Sequence, residues 1–264
     1  LLLYSIFRIG NATNNITWES YQDIIEKDEV EWAVPISLGD SHKGYRVMGT
    51  NKDFFKHYKY RGNKSLVIKD GKYFSDLYDV VLGFGVAEKL DYQINSSIIV
   101  SHGLKSFTDH DDQPFKVSGI LAKTGTPVDN TIIVSLKAIE AIHVDWSSGA
   151  KIPGQVTPID EIRKMDLATS NITAVLLGIK SKLKIFQFQR WINEYPEEAL
   201  TAILPGVALQ ELWRIVGVVE NILLGISFVV ILTTLMGMAA IVLSSLNERR
   251  REMAIWRAMG ASPK

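Results

Sequence analysis

The sequence contains no cysteine, so disulfide bonds, thiolate zinc sites and thiol nucleophiles are excluded. The chain has no excess of positive or negative charge, because 29 Lys and Arg residues balance 29 Asp and Glu residues. A nucleic-acid-binding protein needs a basic face, and this composition predicts no nucleic-acid partner. Neither a phosphate-binding Gly-x-x-x-x-Gly-Lys-Ser/Thr loop nor a Gly-x-Ser-x-Gly nucleophile motif occurs. We therefore expect a non-catalytic chain that binds no cofactor itself.

Apolar residues are abundant, at 47% of the chain, and they concentrate near the C-terminus. Residues 222–246 contain no charged side chain in 25 positions. As a helix this segment is about 37 Å long, against about 30 Å for the hydrocarbon core of a bilayer. The pattern predicts one transmembrane helix.

The charges that flank this segment predict its orientation. Arg249, Arg250, Arg251 and Arg257 follow it closely, whereas only Arg214 is comparably near on the other side. Since positive residues stay in the cytoplasm, the C-terminal end is predicted to be cytoplasmic and the large preceding domain extracytoplasmic.

The preceding region, residues 1–205, has the pattern of an α+β domain, which we expect to have two lobes. Short apolar strands alternate with short helices, separated by Gly, Pro and Asn turns. Helices are predicted over 18–27, 53–58, 83–90, 136–143 and 180–195. Strands are predicted over 30–38, 45–48, 80–82, 97–101, 115–121, 131–134, 172–178 and 200–204, with a turn at 39–41 and a long connection over 145–166.

These patterns divide the chain into segments. Residues 1–205 form the extracytoplasmic domain, which begins inside an apolar run and is expected to be N-terminally incomplete. A stalk helix over 206–221 leads into the span over 222–246. A short cytoplasmic helix over 247–260 follows, and residues 261–264 are expected to begin a truncated remainder.

Small side chains recur along the predicted span. Thr233, Gly237, Ala240 and Ser244 are spaced by four, three and four residues, which places them on one helix face. Small residues let two membrane helices approach closely, so this face is predicted to pack on another helix. Chance occurrence of common small residues is the alternative.

The segment after the span combines charge with an apolar second half. Glu248, Arg249, Arg250, Arg251 and Glu252 are followed by apolar side chains, and Gly260 is a helix-ending residue. We expect a charged helix that leaves the membrane, turns along its inner face and docks a cytoplasmic partner. A plain stop-transfer anchor would need the arginines but not the two glutamates.

One polar loop is a weak metal candidate. His102, His110, Asp111 and Asp112 supply ligand types that divalent cations accept, but their spacing is not diagnostic. The prediction is therefore that no metal is bound.

The residues 247–261, NERRREMAIWRAMGA, resemble the motif that follows the second transmembrane helix of FtsX/MacB-like permeases of ABC transporters, the mechanotransmission class. Residues 80–87, 115–121 and 129–136 resemble strand motifs of the family's MacB-like periplasmic domain. Trp256 and the pair Asn95-Ser96 depart from the pattern.

The resemblance implies a permease subunit with four transmembrane helices in the bacterial inner membrane, its large domain in the periplasm. Its implied partners are a cytoplasmic ATPase that holds ATP and Mg, a second permease subunit as a homodimer or related pair, membrane lipid, and a periplasmic partner or substrate. Residues 248–252 would contact the ATPase, and residues 207–220 would carry its motion outward.

Two other functions are weighed against this one. A membrane-anchored extracytoplasmic sensor would continue after the membrane into a signalling helix, whereas a stop is predicted at Gly260. A membrane-tethered hydrolase would need a nucleophile and base, which the motifs do not supply.

Overall fold

The computed structural model describes residues 14–102, 114–147, 150–152 and 156–260. The chain divides into two compact units, Leu1–Ile203 and Leu204–Lys264. The first is an α+β domain and the second consists of one long helix.

The elements of the first unit alternate along the chain as the apolar pattern predicts. Its strands are β1 (Ile16–Thr17), β2 (Val30–His42), β3 (Tyr45–Thr50), β4 (Lys59–Tyr60), β5 (Lys64–Ser65), β6 (Ile68–Gly71), β7 (Asp79–Leu82), β8 (Ser97–Ile98), β9 (Ser101–His102), β10 (Phe115–Leu121), β11 (Thr131–Ser135), β12 (Trp146–Ser147), β13 (Ala150–Lys151), β14 (Asn171–Ile172) and β15 (Ala174–Ile179). Its α-helices are α1 (Trp18–Ile25), α2 (Asp53–His57), α3 (Phe84–Leu90), α4 (Leu136–Ile142), α5 (Ile159–Ile162) and α6 (Ile185–Asn193), with 3-10 turns at Pro127–Asn130 and Lys182–Lys184.

One mixed sheet of nine strands organises this unit. Its main path runs β15-β2-β3-β11-β7-β10-β6, with β8 beside β10 and β9 beside β2. The pairs β3–β11 and β7–β10 are parallel, and the other pairs of the sheet are antiparallel. The predicted α+β class is confirmed. The described residues of the first unit are organised around this one sheet, and the expected division into two lobes stays a prediction.

The core lies on both faces of the sheet. Along β7, Val80 and Leu82 join one buried cluster, whereas Val81 joins the other. Ile132 and Ile133 on β11 alternate in the same way. Successive strand residues point to opposite faces, so a central strand covered on both sides is apolar at every position.

Local capping explains where several helices begin. The Thr17 hydroxyl accepts a hydrogen bond from the Ser20 N–H at 3.3 Å, which is the N-cap that starts α1. Ser135 caps α4 in the same way through the Ala138 N–H at 3.1 Å. Gly83 precedes α3, where a Cβ would lie 2.1 Å from the Val128 carbonyl oxygen. Glycine is required there by this close approach of two backbones.

The turn predicted at 39–41 is wrong. Strand β2 continues to His42, and the chain reverses at Lys43 and Gly44, whose φ angles are 45° and 83°. The β2–β3 pairing shifts register between Leu38 and Ser41, so the polar residues between them are accommodated without ending the strand. The signals at Gly39 and Asp40 therefore mark a bulge, a use of such residues that resembles a turn in sequence.

The helix predicted over 180–195 is shorter than expected, and the strand over 200–204 is absent from the described structure. Strand β15 extends to Ile179, and a 3-10 turn precedes α6. The Ala202 N–H donates to Asn193 Oδ1 at 2.7 Å, and its carbonyl accepts from Gln189 Nε2 at 2.9 Å. Side chains of α6 therefore satisfy the backbone groups of Ala202 that a neighbouring strand would otherwise bond.

The long connection predicted over 145–166 holds the small hairpin β12–β13 and helix α5. Within this connection the buried Asp145 carboxylate accepts from the Thr157 N–H at 2.7 Å and the Thr157 hydroxyl at 2.6 Å, so the residues on either side of the hairpin are held together.

The second unit is a helix of 54 residues, α7 (Pro205–Ala258). Proline stands in its first turn, where no N–H is needed, and Gly260 follows its end with a φ of 96°. The turn expected at the start of 247–260 is not present, because α7 continues through Asn247 without a break. No glycine or proline occurs there to end the helix. The division into stalk, span and docking helix stays a prediction.

Candidate functional site

Helix α7 has the length and composition of a membrane span. It is the one helix among the described residues that is long and apolar enough to cross a membrane. Its central apolar side chains are exposed, among them Phe228 at 67% and Ile241 at 72%. Exposed apolar residues all round a helix are typical of a lipid-facing surface rather than of a soluble domain.

The polar side chains inside this apolar stretch bond to the helix itself. The Thr233 hydroxyl lies 2.9 Å from the Val230 carbonyl oxygen and 3.0 Å from that of Val229. The Thr234 hydroxyl donates to the Val230 carbonyl at 2.7 Å. In hydrocarbon a polar group needs an internal partner, and these hydroxyls have one.

The residues of the predicted packing face lie within the continuous helix α7. At about 100° per residue, Thr233, Gly237, Ala240 and Ser244 fall within an arc of about 60°. A Cβ added at Gly237 would meet no atom within 4 Å. The face is thus open to another helix, and its packing stays a prediction.

The predicted ATPase-docking residues lie on the last turns of α7. Glu248, Arg249, Arg250, Arg251 and Glu252 are all exposed. Glu248 and Arg251 fall within about 60° of the centre of the small-residue face, since both follow it at helical spacing. These two of the five charged residues therefore continue the packing face along the helix, and the other three lie outside it. The docking role stays a prediction.

The weak metal candidates are not assembled by the described residues. His110, Asp111 and Asp112 lie outside the described part of the chain, and His102 is in β9 with its backbone opposite Asp40. Among the described residues no group of three potential metal ligands occurs.

Two further histidines of the domain are engaged in other contacts. His42 Nε2 lies 2.8 Å from the Tyr92 hydroxyl, and its Nδ1 contacts the Ile99 carbonyl oxygen. His143 Nδ1 lies 2.7 Å from the Ile139 carbonyl oxygen, and its Nε2 lies 3.7 Å from Asp40 Oδ1. All four ring nitrogens face neighbouring side chains or backbone, which is the pattern of structural histidines.

The structure also shows a polar link that the sequence did not indicate, between α1 and the segment just before α7. The Glu198 carboxylate accepts from the Thr17 N–H at 3.1 Å and from the Thr17 hydroxyl at 3.0 Å. The Tyr195 hydroxyl donates to the Asp23 carboxylate, and this bond raises the pKa of Tyr195. These contacts join residues more than 170 positions apart, so no local pattern could have indicated them.

A second group of contacts joins the end of α1 to α6. Lys184 Nζ lies 3.1 Å from Glu29 Oε1, and the hydrogen bond from Lys184 lowers the pKa of Glu29. Lys27 Nζ lies 4.6 Å from the centre of the Trp191 ring, a cation–π contact. Beneath them an apolar cluster contains Ile24, Val30, Phe188 and Ile192. Helices α1 and α6 are therefore held together as one layer.

The same region encloses a cavity of about 220 Å³, lined by Lys27, Glu29, Lys184, Gln187, Phe188 and Trp191. Ligand sites usually have about 300–1,000 Å³ and a mostly apolar lining. Three of these side chains are charged, and all three are engaged, Lys184 with Glu29 and Lys27 with the Trp191 ring. The cavity is a gap between packed side chains rather than a small-molecule site.

Comparison with known proteins assigns the domain to a family. The family model of the MacB-like periplasmic core domain matches residues 3–176. None of the curated proteins matches the chain.

Two solved structures are similar to it at low sequence identity. The extracellular domain of the noncanonic ABC-type transporter YknZ from Gram-positive bacteria is 16% identical, over 75% of this chain and 94% of that one, with a TM-score of 0.44. The periplasmic region of MacB from Actinobacillus actinomycetemcomitans is 11% identical, over 78% and 86%, with a TM-score of 0.45.

The family model covers more than half of the chain, and α7 follows the matched domain as a candidate membrane helix. The expected resemblance is confirmed. The chain is thus a membrane protein with an extracytoplasmic domain, and it belongs to the MacB-like periplasmic core domain family of FtsX/MacB-like ABC-transporter permeases.

Proposed function

We propose that this chain is a permease subunit that couples ATP hydrolysis in a separate cytoplasmic ATPase to movement of its periplasmic domain. The observation that carries the proposal is the order of parts in one chain. A family-matched extracytoplasmic domain is followed by an apolar helix that ends in an exposed, doubly acidic and triply basic segment. ATP and Mg belong to the partner, and this chain supplies no catalytic group.

In this proposal the five residues from Glu248 to Glu252 dock the ATPase. Both signs of charge within five positions offer paired contacts to a complementary surface, which fix orientation as well as affinity. Because α7 is unbroken from Pro205 to Ala258, a displacement at this end is carried along a rigid rod. The rod is about 80 Å long, enough to cross a bilayer and project from it.

The remaining parts of the proposal concern assembly and place. The small-residue face packs on other transmembrane helices, either of this subunit or of a second permease subunit. The chain resides in the bacterial inner membrane with its domain in the periplasm, where it engages a periplasmic partner or substrate. The link between Glu198 and Thr17 joins the domain's first described strand to the segment before α7, so motion of α7 would reach α1 as well as α6.

A charge reversal tests the docking role. The double variant Glu248→Lys/Glu252→Lys, expressed with the ATPase subunit, is expected to lower co-purification and ATP turnover at least tenfold. Losing a buried, paired charge at an interface typically costs about 2–5 kcal/mol. The matched control is Glu161→Lys/Glu194→Lys, the same reversal at two exposed positions of the domain. Equal turnover in both double variants would refute docking at 248–252.

A further inference from the structure

Positive charge is concentrated in one segment of a chain that is neutral as a whole. Residues 52–72 contain seven Lys and Arg residues and two Asp residues, a formal charge of +5. The segment includes the hairpin β4–β5 and strand β6, which lies at one end of the large sheet. One or two charges are enough to keep another strand from adding to an edge. The excess is larger than that protection requires, and a field of one sign attracts an anionic partner.

The fold brings a further cation beside this segment. Lys69 Nζ and Lys123 Nζ each lie 5.6 Å from the centre of the Phe84 ring, as cation–π contacts. The Ala122 N–H donates to the Val67 carbonyl at 2.8 Å, which holds the loop that carries Lys123 against the start of β6. Lys69 and Lys123 are therefore neighbours around one aromatic ring, although they are far apart in the sequence.

Arg61 extends this group at the turn of the hairpin. Arg61, Gly62 and Asn63 have φ angles of 41°, 74° and 82°, all in the left-handed region. An arginine keeps this unfavourable conformation only where its surroundings fix it. Its guanidinium lies against Gly125, where a Cβ would be 2.5 Å from Arg61 Nη2. Gly125 thus makes room for an arginine in a defined position, two residues along the chain from Lys123.

Four cations and two apolar side chains beside them form a surface that we name the basic surface. Its members are Arg61, Lys64, Val67, Lys69, Phe84 and Lys123. All of them are exposed except Phe84, which is half-buried, and Val67 is 57% exposed. Apolar contact within a polar surround is the usual composition of a protein interface.

The positive charge of the basic surface is hardly compensated. Lys69 Nζ lies 3.8 Å from Asp70 Oδ2, but both side chains are exposed, and such a pair contributes little. Within the part of the chain that the structure describes, no carboxylate pairs with Arg61, Lys64 or Lys123. The surface can therefore accept carboxylates from another molecule.

We propose that the basic surface binds an acidic segment of a partner protein outside the cytoplasm. The Arg61 guanidinium offers a planar pair of N–H donors that fits a carboxylate, and the lysines add point charges. Cations spread over a hairpin turn, a strand and a loop match a series of carboxylates along an extended chain. The inference rests on the part of the proposed function in which the domain engages a periplasmic partner, and it does not depend on ATPase docking.

An anionic lipid surface has the same sign of charge as an acidic segment. Protein segments that bind bilayers through cations also insert large apolar side chains such as Trp, Phe or Leu. In the basic surface the exposed apolar side chain is Val67, and Phe84 is half-buried between neighbouring groups with two ammonium groups beside its ring. This composition favours an acidic polypeptide over a bilayer.

Binding of a model acidic peptide tests the proposal. The full chain in phosphatidylcholine nanodiscs is titrated against a fluorescein-labelled oligoglutamate peptide, and fluorescence anisotropy gives the Kd. We expect binding that weakens as salt is added, because salt screens exposed charges. Arg61→Gln/Lys123→Gln is expected to raise the Kd about fivefold, as the loss of two exposed ion pairs predicts.

Two further variants separate this surface from general attraction and from misfolding. The matched control Lys137→Gln/Lys164→Gln removes the same charge at two exposed lysines outside the surface, and it should change the Kd less than about twofold. The reversal Arg61→Glu/Lys123→Glu should lose oligoglutamate and bind oligolysine instead. Its tryptophan fluorescence should match that of the parent, which shows that the domain is folded.

Several outcomes would overturn the proposal. One is an equal Kd for the parent and for Arg61→Gln/Lys123→Gln, and another is an equal loss in the lysine control. A third is absence of peptide binding while sucrose-loaded phosphatidylglycerol vesicles pellet the parent nanodiscs, which would assign the surface to lipid. Each of these results leaves the ATP turnover of the 248 and 252 charge reversal unchanged, so failure here is distinguishable from failure of ATPase docking.

Discussion

At the scale of single residues, the carboxylates of this domain differ by what surrounds them. Glu198 receives two hydrogen bonds from Thr17, and Asp76 receives two from the Arg163 guanidinium, both at 2.7 Å. The bond from Arg163 lowers the pKa of Asp76. Glu140 is different, because burial raises its pKa while a bond from the Ser170 backbone and the nearby His143 oppose the rise. The pKa values of carboxylates in the same domain are thus shifted in opposite directions by their surroundings.

The Glu198 contact predicts a measurable loss of stability. Glu198→Ala removes both acceptors of the Thr17 donors, and we expect the free energy of unfolding to fall by about 1–2 kcal/mol. Urea unfolding followed by tryptophan fluorescence measures it. Glu197→Ala, at an exposed neighbouring position, is the control and should change stability by less than about 0.5 kcal/mol. An equal loss in both variants would show that the Thr17 contact contributes nothing.

Glu140 predicts a pH dependence of the opposite sign to a paired carboxylate. Its folded-state pKa lies above the unfolded value of about 4.5, so its contribution is most favourable below that pH. It then declines as pH rises through the folded-state pKa. Glu140→Gln removes this titration while keeping an oxygen for the Ser170 N–H. The variant should be more stable than the parent at pH 7–8, with the difference vanishing near pH 4.

Thermal unfolding from pH 4 to pH 8 measures this difference. The control Glu161→Gln, at an exposed position on α5, should show no pH-dependent difference from the parent. A stability difference for Glu140→Gln that stays constant over the pH range would contradict the burial argument.

At the scale of elements, helices were predicted better than the turns and edges that join them. Helices α1 and α4 begin at Trp18 and Leu136, where the helices over 18–27 and 136–143 are predicted, and the structure shows that Thr17 and Ser135 cap them. Gly39 and Asp40 have the composition of a turn but lie inside β2, because pairing with β9 and β3 holds the strand together. A partner strand decides whether such residues form a turn or a bulge.

For α7, two identical substitutions separate packing from lipid exposure. Ala240 lies on the small-residue face, and Ala239 is about 100° away from it on the same turn. Ala240→Leu should block close helix approach and lower the recovery of the assembled complex, since a bulky side chain separates the backbones. Ala239→Leu should leave it unchanged. Recovery of intact complex on size-exclusion chromatography in detergent compares the two, and equal recovery would refute the face.

At the scale of the whole molecule, the chain joins a family-matched domain to a membrane helix. The side of the membrane on which each end lies is a property of the whole chain. Because the chain contains no cysteine, single introduced cysteines can report it. Lys56→Cys lies on the domain surface, and Arg257→Cys lies after the span. With a membrane-impermeant maleimide added outside to spheroplasts, we expect labelling of Lys56→Cys alone. Arg257→Cys should react only after permeabilisation, and the reverse labelling would place the domain in the cytoplasm.

The amino-acid sequence by itself determined the membrane span, the α+β class and the resemblance to a permease family. These depend on local quantities: an uncharged run over 222–246, short apolar runs such as residues 80–82, and the motif over 247–261. Tertiary structure alone decided the order of strands, the joining of Thr17 to Glu198 and the pairing of Asp76 with Arg163. These depend on contacts between residues far apart in the chain, and local composition and periodicity carry no record of such pairings.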